Sequence, residues 1–198
     1  MKKLLHRRAV VTRLLSERGD MLVVAGLGAP AWDITAAGDH PLSFPLWGAM
    51  GGAATLGLGL ALAQPQRQVL VITGDGEMLM GLGSLAVIGV QRPPNLSIVV
   101  LDNERYGETG QQKTHTAHGV DLAAMASAAG FAKTLNVSTS SDLTQLCRAV
   151  HARIKSGPLF AQVKVDPEKL PLVLPPRDVS YLKHRFRTAL LGEASAHQ

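Results

Sequence analysis

The stretch Gln68-Val69-Leu70-Val71-Ile72-Thr73-Gly74-Asp75-Gly76-Glu77 decides how the chain is read. Four successive apolar residues, three of them β-branched, closed by a glycine, predict a strand buried on both faces over Gln68–Thr73. From Glu77 to Val90 the apolar residues Met78, Leu79, Leu82, Leu85, Ala86 and Ile88 recur at helical spacing, which predicts a helix. Gly74-Asp75-Gly76 therefore joins a strand to a helix start, where free N–H groups and the helix dipole attract an anion such as a phosphate. A carboxylate there repels that anion unless a hard divalent cation lies between them, taking oxygens from both. Taken alone, Asp75 is equally well explained as a cap for the helix beginning at Gly76.

Working outward, the same alternation recurs. Strands are expected at Met21–Ala25, Leu96–Leu101, Phe131–Val137 and Leu159–Val165. Helices are expected at residues 3–18 (stopped by Gly19), Gly51–Ala63, Asp121–Ala129, Ser140–Lys155 and Val179–Leu191. Gly51, Gly52, Gly57 and Gly59 weaken the second of these by about 1 kcal/mol each, so close packing on a sheet, a cofactor or another chain must favour them. Buried strands alternating with helices predict an α/β fold, a doubly wound, mainly parallel sheet with helices on both faces. Ligands of such folds sit beyond the carboxyl ends of the strands. That rule selects three loops, 26–30, 74–77 and the long polar 102–119.

With 198 residues, one domain is the expectation: a core over about 20–165, a basic N-terminal helix and a Pro-rich, basic tail over 166–198. Apolar residues make up 46% and charged ones 18%, which excludes a disordered chain. Cys147 is the single cysteine, so a disulfide scaffold is excluded and the thiol reads as a small buried hydrophobe. The net charge of +5 is not spread evenly. Lys2, Lys3, Arg7, Arg8, Arg13 and Arg18 face only Glu17 at one end, and Arg177, Lys183, Arg185 and Arg187 outnumber Asp178 and Glu193 at the other. Residues 19–176 hold 10 basic against 12 acidic residues. Basic ends without interleaved aromatics do not suggest nucleic-acid binding, and they are expected to be subunit contacts or solvated tails. Residues 9–15 are broken by Thr12 and Arg13, so no signal peptide forms. The longest apolar run, Ala53–Ala63, is about half the ~20 residues that span a bilayer. A cytoplasmic location without membrane contact is expected.

Asn103 separates the two explanations of Asp75. It ends the next predicted strand, which places it at the same sheet edge. Gly-Asp-Gly, 26 residues and an Asn, with a helix, prolines and an apolar strand between, resembles the cofactor motif of the thiamine diphosphate (ThDP) enzyme family. Trp47-Gly48-Ala49-Met50-Gly51 resembles that family's Gly-x-Met-Gly segment. Asn103 to Gln112, Asp121 to Ala126 and Ala129-Gly130-Phe131 look most like the sulfopyruvate and phosphonopyruvate decarboxylase branch. The resemblance covers about residues 20–165 and concerns the diphosphate-binding domain.

The resemblance implies that Asp75 and Asn103 bind Mg²⁺ through side chains and Arg105 through its backbone carbonyl. It implies diphosphate contacts, largely by N–H groups, from Gly74, Gly76, Glu77, Tyr106, Gly107 and Glu108, with Gly28 and Ala29 approaching from the other side. Gly48 would accept from the aminopyrimidine, and Met50 would hold the cofactor bent. Glu77 and Glu108 depart from the family, which more often has Ser or Thr there. Two carboxylates beside a diphosphate must turn to solvent or pair, for instance with Arg105 or Lys113.

The family activates its cofactor with a glutamate from a separate pyrimidine-binding domain. Residues 1–198 hold one α/β unit, so the resemblance implies a pyrimidine-binding (alpha-type) partner subunit, with self-association besides. The Gly-rich helix 51–63 is a candidate contact surface. The implied reaction is non-oxidative decarboxylation of a small 2-oxoacid to an aldehyde. Carboligation of the acetolactate synthase kind and a non-catalytic ThDP-binding module are the alternatives. No catalytic residue is assigned, although His115 and Gln112 lie where a loop could reach an acidic substrate group. His6, His40, His118, His151, His184 and His197 show no metal-ligand spacing, and Trp32 and Trp47 read as packing residues.

Overall fold

In a computed structural model, residues 4–152 and 156–193 are described. The elements run α1 (Arg7–Leu15), β1 (Leu22–Ala25), α2 (Ala29–Ala36), β2 (Ser43–Pro45), α3 (Ala53–Ala63), β3 (Val69–Gly74), α4 (Asp75–Met80), α5 (Ser84–Gln91) and β4 (Leu96–Asp102). There follow the short strands β5 (Arg105–Tyr106) and β6 (Gln112–Lys113), a 3-10 turn at His115–His118, α6 (Leu122–Ala128), β7 (Lys133–Val137), α7 (Ser140–His151), β8 (Leu159–Lys164) and α8 (Val179–Leu191).

The main sheet has six strands in the order β2-β1-β3-β4-β8-β7, and every pairing is parallel. Side chains alternate along each strand, and that alternation builds two cores. Val23, Leu70, Ile72, Val99, Leu101 and Val163 pack under α1, α2 and α7. Val24, Val69, Val71, Ile98, Val100 and Phe160 pack under α3 to α6 and Phe186 of α8. The expected α/β sheet covered on both faces is thus observed. Consecutive strands leave β1 in opposite directions, β2 to one side and β3 to the other. The crevice between the loops after β1 and β3 is the place where a doubly wound sheet binds its ligand.

Several boundaries differ from expectation, each for a local reason. The first helix starts at Arg7, because Leu5 is drawn out to bridge Val165 in parallel fashion; residues 1–3 lie outside the described residues. The loop 26–30 ends in a helix, with Pro30 in the first turn where its missing N–H costs nothing. Ser43–Pro45 adds an edge strand too short to show a period. The helix expected over Glu77–Val90 is two helices, interrupted at Gly81–Gly83. There the Gly81 backbone packs directly on Gly51, whose φ of +84° no side chain favours. Residues 105–113 form a hairpin inside the long loop. The strand expected at Phe131 begins at Lys133, and the helix expected to Lys155 ends at His151, residues 153–155 lying outside the described residues. Among the glycines of α3, Gly57 meets Val71 of β3, so close packing on the sheet accounts for it.

Several basic side chains of the two ends bind within the chain, whereas Arg177 and Lys183 are exposed, and Lys2 and Lys3 lie outside the described residues. Arg7 and Arg8 both bind Asp33, at 2.6 and 3.1 Å. Arg18 donates to Ser43 and to the Met21 and Leu42 carbonyls, and Arg185 pairs with Asp39. The Pro-rich segment is strapped across the carboxyl edge of the sheet: Asp166 donates to the Leu5 carbonyl, Arg8 to that of Pro171, and Trp47 to that of Pro176. Among the described residues, no helix is long and apolar enough to cross a membrane.

Candidate functional site

A cleft of about 400 Å³ opens at the predicted crevice, and Leu27, Gly74, Asp75, Gly76, Glu77, Asn103, Arg105 and Tyr106 line it. Three loops converge there because β1, β3 and β4 are neighbours and end in register; Gly74 pairs with Leu101. Ala29, Met50, Gly107 and Glu108 border the same space. Gly28 lies between the lining residues Leu27 and Ala29, while Gly48, two residues before Met50, is not part of the lining. Gly28 has φ +75° and the Glu108 carboxylate 2.5 Å from where a Cβ would sit, while Gly48 has open space there.

Asp75 does not cap its helix. It is the first residue of α4, its exposure is 1%, and its Oδ2 accepts from the Thr114 hydroxyl at 2.5 Å and the Thr116 hydroxyl at 3.1 Å. Burial is the main reason its pKa is pushed up to about 6, with the Asp102 carboxylate adding to the rise and the two hydroxyls opposing it. An acid so placed gains from a cation. Asn103 folds back in an Asx turn, its Oδ1 accepting from the Arg105 N–H at 2.9 Å. No side chain caps α4, so its first N–H groups are free for an anion.

Glu77 pairs with neither Arg105 nor Lys113. Its Oε2 takes the Thr73 hydroxyl at 2.7 Å and the Leu27 N–H at 3.0 Å, tying the loops after β3 and β1 together. Burial raises its pKa, against those two hydrogen bonds. One oxygen of the Glu77 carboxylate is therefore engaged in structure, while the other, Oε1, is buried beside the cleft with no hydrogen-bond partner among the described residues. Glu108 lies exposed at the rim against Gly28.

His115 is exposed at the start of the 3-10 turn, apart from the cleft lining, and Gln112 binds Thr109 instead. Gln111 faces the cleft in its place. Four contributors escaped sequence reasoning. Thr114 and Thr116 hold Asp75, and Arg7 and Lys169 line the cleft through the strapped ends. A hydroxyl in a polar loop or a basic residue near a terminus carries no periodic or spacing signal.

The pattern of the family described as "Thiamine pyrophosphate enzyme, C-terminal TPP binding domain" matches residues 29–163. The chain belongs to this family. ThDP is its cofactor. The chain is 38% identical over 189 residues to sulfopyruvate decarboxylase subunit beta of Methanothermobacter thermautotrophicus, covering 96% of this chain and 97% of that one. It is 39% identical to phosphonopyruvate decarboxylase of Streptomyces viridochromogenes, over 83% of this chain but 41% of the longer protein. In fold it resembles benzoylformate decarboxylase from Polynucleobacter necessarius, with a TM-score of 0.66 at 22% identity, covering 85% of this chain and 34% of that one.

The site fits the cofactor. Uncapped N–H groups at α4 suit a diphosphate, and Gly74 in the cleft wall has open space where a side chain would otherwise project. One carboxylate, one amide and a nearby carbonyl are the kind of oxygen ligands that a hard cation such as Mg²⁺ would take. Among the described residues no cluster of three His, Cys, Asp or Glu that could hold a metal ion is found.

Proposed function

We propose that the chain is the Mg²⁺- and ThDP-binding subunit of a two-chain 2-oxoacid decarboxylase of the sulfopyruvate or phosphonopyruvate type. The observation that carries this reading is the meeting of Asp75 and Asn103, from the ends of β3 and β4, in one cleft with the uncapped start of α4. The relatives add the substrate class. The chain matches nearly the whole of a sulfopyruvate decarboxylase beta subunit, and less than half of the longer phosphonopyruvate decarboxylase.

When bound, ThDP supplies the carbon nucleophile and electron sink that side chains lack. The chain's own residues bind and orient. Asp75, Asn103 and the Arg105 carbonyl would hold Mg²⁺, and the N–H groups of Gly76, Glu77 and the 106–108 loop would receive the diphosphate, with Gly28 and Ala29 opposite. Met50 is 55% exposed beside the cleft, placed to support the bent cofactor, and Gly48 offers its carbonyl to the aminopyrimidine. The pyrimidine-binding partner would supply the activating glutamate and cover this half-site, with α3 as part of the contact.

The test is a decarboxylation assay with sulfopyruvate, phosphonopyruvate and pyruvate, on the chain alone and with a pyrimidine-binding chain added. ThDP binding with Mg²⁺, negligible turnover alone and aldehyde release with the partner are expected. Full turnover by the homogeneous chain, or a carbon–carbon ligation product in place of the aldehyde, contradicts the reading.

A further inference from the structure

Lys164 and Asp102 are register partners at the ends of β8 and β4. The Lys164 amine lies 2.7 Å from Asp102 Oδ2 and also 2.7 Å from Glu104 Oε1. These two carboxylates stand on either side of Asn103, so one ammonium group braces both flanks of the residue that offers its amide to the metal. Asp102 is fully buried and receives three further hydrogen bonds: Gln162 Nε2 at 2.6 Å, the Thr116 hydroxyl at 2.8 Å and the Glu104 N–H at 3.1 Å. Through Thr116 the same network reaches Asp75.

The segment braced in this way is strained. Glu104 sits at φ +60°, a left-handed conformation uncommon for a side-chain-bearing residue. It is held there by the Thr114 N–H and the Arg105 guanidinium, both donating to its carbonyl, and by Lys164 at its carboxylate. Strain maintained by so many contacts marks functional positions more often than merely structural ones. Asp102 is fully buried, but Lys164 and Glu104 are 32% and 42% exposed, and a partly solvated ion pair contributes little to the stability of a fold. Burial works against the charge on Lys164, yet its bonds to Asp102 and Glu104 prevail and raise its pKa.

We propose that Lys164 is a positioning residue of the cofactor site, acting through Asp102 and Glu104 to fix the Asn103–Arg105 turn that presents the metal ligands. This rests on the cofactor reading above and adds to it a residue outside the binding motif. Lys164 touches neither metal nor cofactor; it sets the direction of the groups that do.

The experiment titrates the full chain with ThDP in the presence of Mn²⁺, a spectroscopic stand-in for Mg²⁺, and records thermal unfolding in parallel. Lys164→Met is expected to weaken Mn²⁺-dependent ThDP binding by about 10–100-fold, the usual loss when an outer partner of a metal ligand is removed. Lys164→Arg, which keeps a cation between the carboxylates, is expected to recover most of it. Because Lys164→Met leaves Asp102 buried and unpaired, the double variant Lys164→Met/Asp102→Asn serves as its control. It is expected to recover thermal stability while binding stays weak. If this well-folded double variant binds within about twofold of wild type, far from the 10–100-fold expected of such a partner, the proposal is overturned. If wild type itself binds no ThDP, the cofactor reading fails, and the inference with it.

Discussion

The ring of Tyr106 lies against Gly76, so close that a Cβ at position 76 would stand 2.7 Å from both Cδ1 and Cε1. This contact closes the β5–β6 hairpin onto the first turn of α4, where the diphosphate is proposed to bind. Helix propensity alone favours Gly76→Ala by about 1 kcal/mol. The clash opposes it, since Tyr106 belongs to a hydrogen-bonded strand and cannot withdraw freely. Gly76→Ala is expected to displace the hairpin and weaken ThDP binding about tenfold, a loss of ~1.4 kcal/mol. Adding Tyr106→Ala should restore part of the affinity. Calorimetric titration of the two variants decides the matter, and unchanged binding by Gly76→Ala contradicts it.

Asp75 makes stability depend on pH in a predictable sense. Its folded pKa of about 6 lies above the ordinary 3.8. Between these values the folded chain keeps a proton that the unfolded chain has lost, so stability falls as pH rises through the window. The full effect is on the order of 3 kcal/mol, one pKa unit being worth about 1.36. Without metal, the chain should unfold at lower urea at pH 7.5 than at pH 5. Asp75→Asn should flatten that dependence and raise the pH 7.5 midpoint, while removing the stabilisation that Mg²⁺ and ThDP confer on wild type. A variant less stable than wild type at pH 7.5 without metal would contradict this account.

The parts of the molecule legible in the sequence are those whose signal is local. Val69–Ile72 and Ile98–Leu101 are short, largely β-branched apolar runs that read as buried strands, and Gly74-Asp75-Gly76 with Asn103 follows from where such strands end. The break at Gly81–Gly83 was not legible. Glycines in a helical pattern do not reveal that another backbone, at Gly51, must pass there. The pairing of Arg7 and Arg8 was hidden for the same reason. Arg7 and Arg8 resemble a solvated charge run until the fold brings Asp33 beneath them. Thr114, Thr116 and Lys164 act through contacts spanning 39, 41 and 60 residues of sequence, beyond the reach of any spacing rule.

Asp33 is fully buried between Arg7, whose side chain is 7% exposed, and Arg8, at 25%. Removing the shared acid leaves Arg7 charged, buried and unpaired. Asp33→Ala is therefore expected to cost about 3–5 kcal/mol, the usual result of breaking a buried pair from one side. Arg8→Ala should cost about 1 kcal/mol or less, because its group is partly solvated and Arg7 still neutralises the acid. Urea unfolding ranks the two. Equal costs would show that the ends are held by the Pro-rich strap and not by this ion pair.

Two helical glycines make a matched test of which close approaches the fold requires. On α5, a Cβ at Gly89 would run into the Ala129 carbonyl that ends α6, a backbone atom that cannot swing aside. On α3, a Cβ at Gly59 would meet nothing within 4 Å. Gly89→Ala is expected to destabilise the chain by about 1–3 kcal/mol, as overpacking does. Gly59→Ala should stabilise it by about 1 kcal/mol through helix propensity. The second substitution also probes assembly. If α3 carries the proposed partner contact, Gly59→Ala should leave ThDP binding by the isolated chain intact while weakening co-elution with the pyrimidine-binding subunit. Undiminished assembly would place that contact on another face.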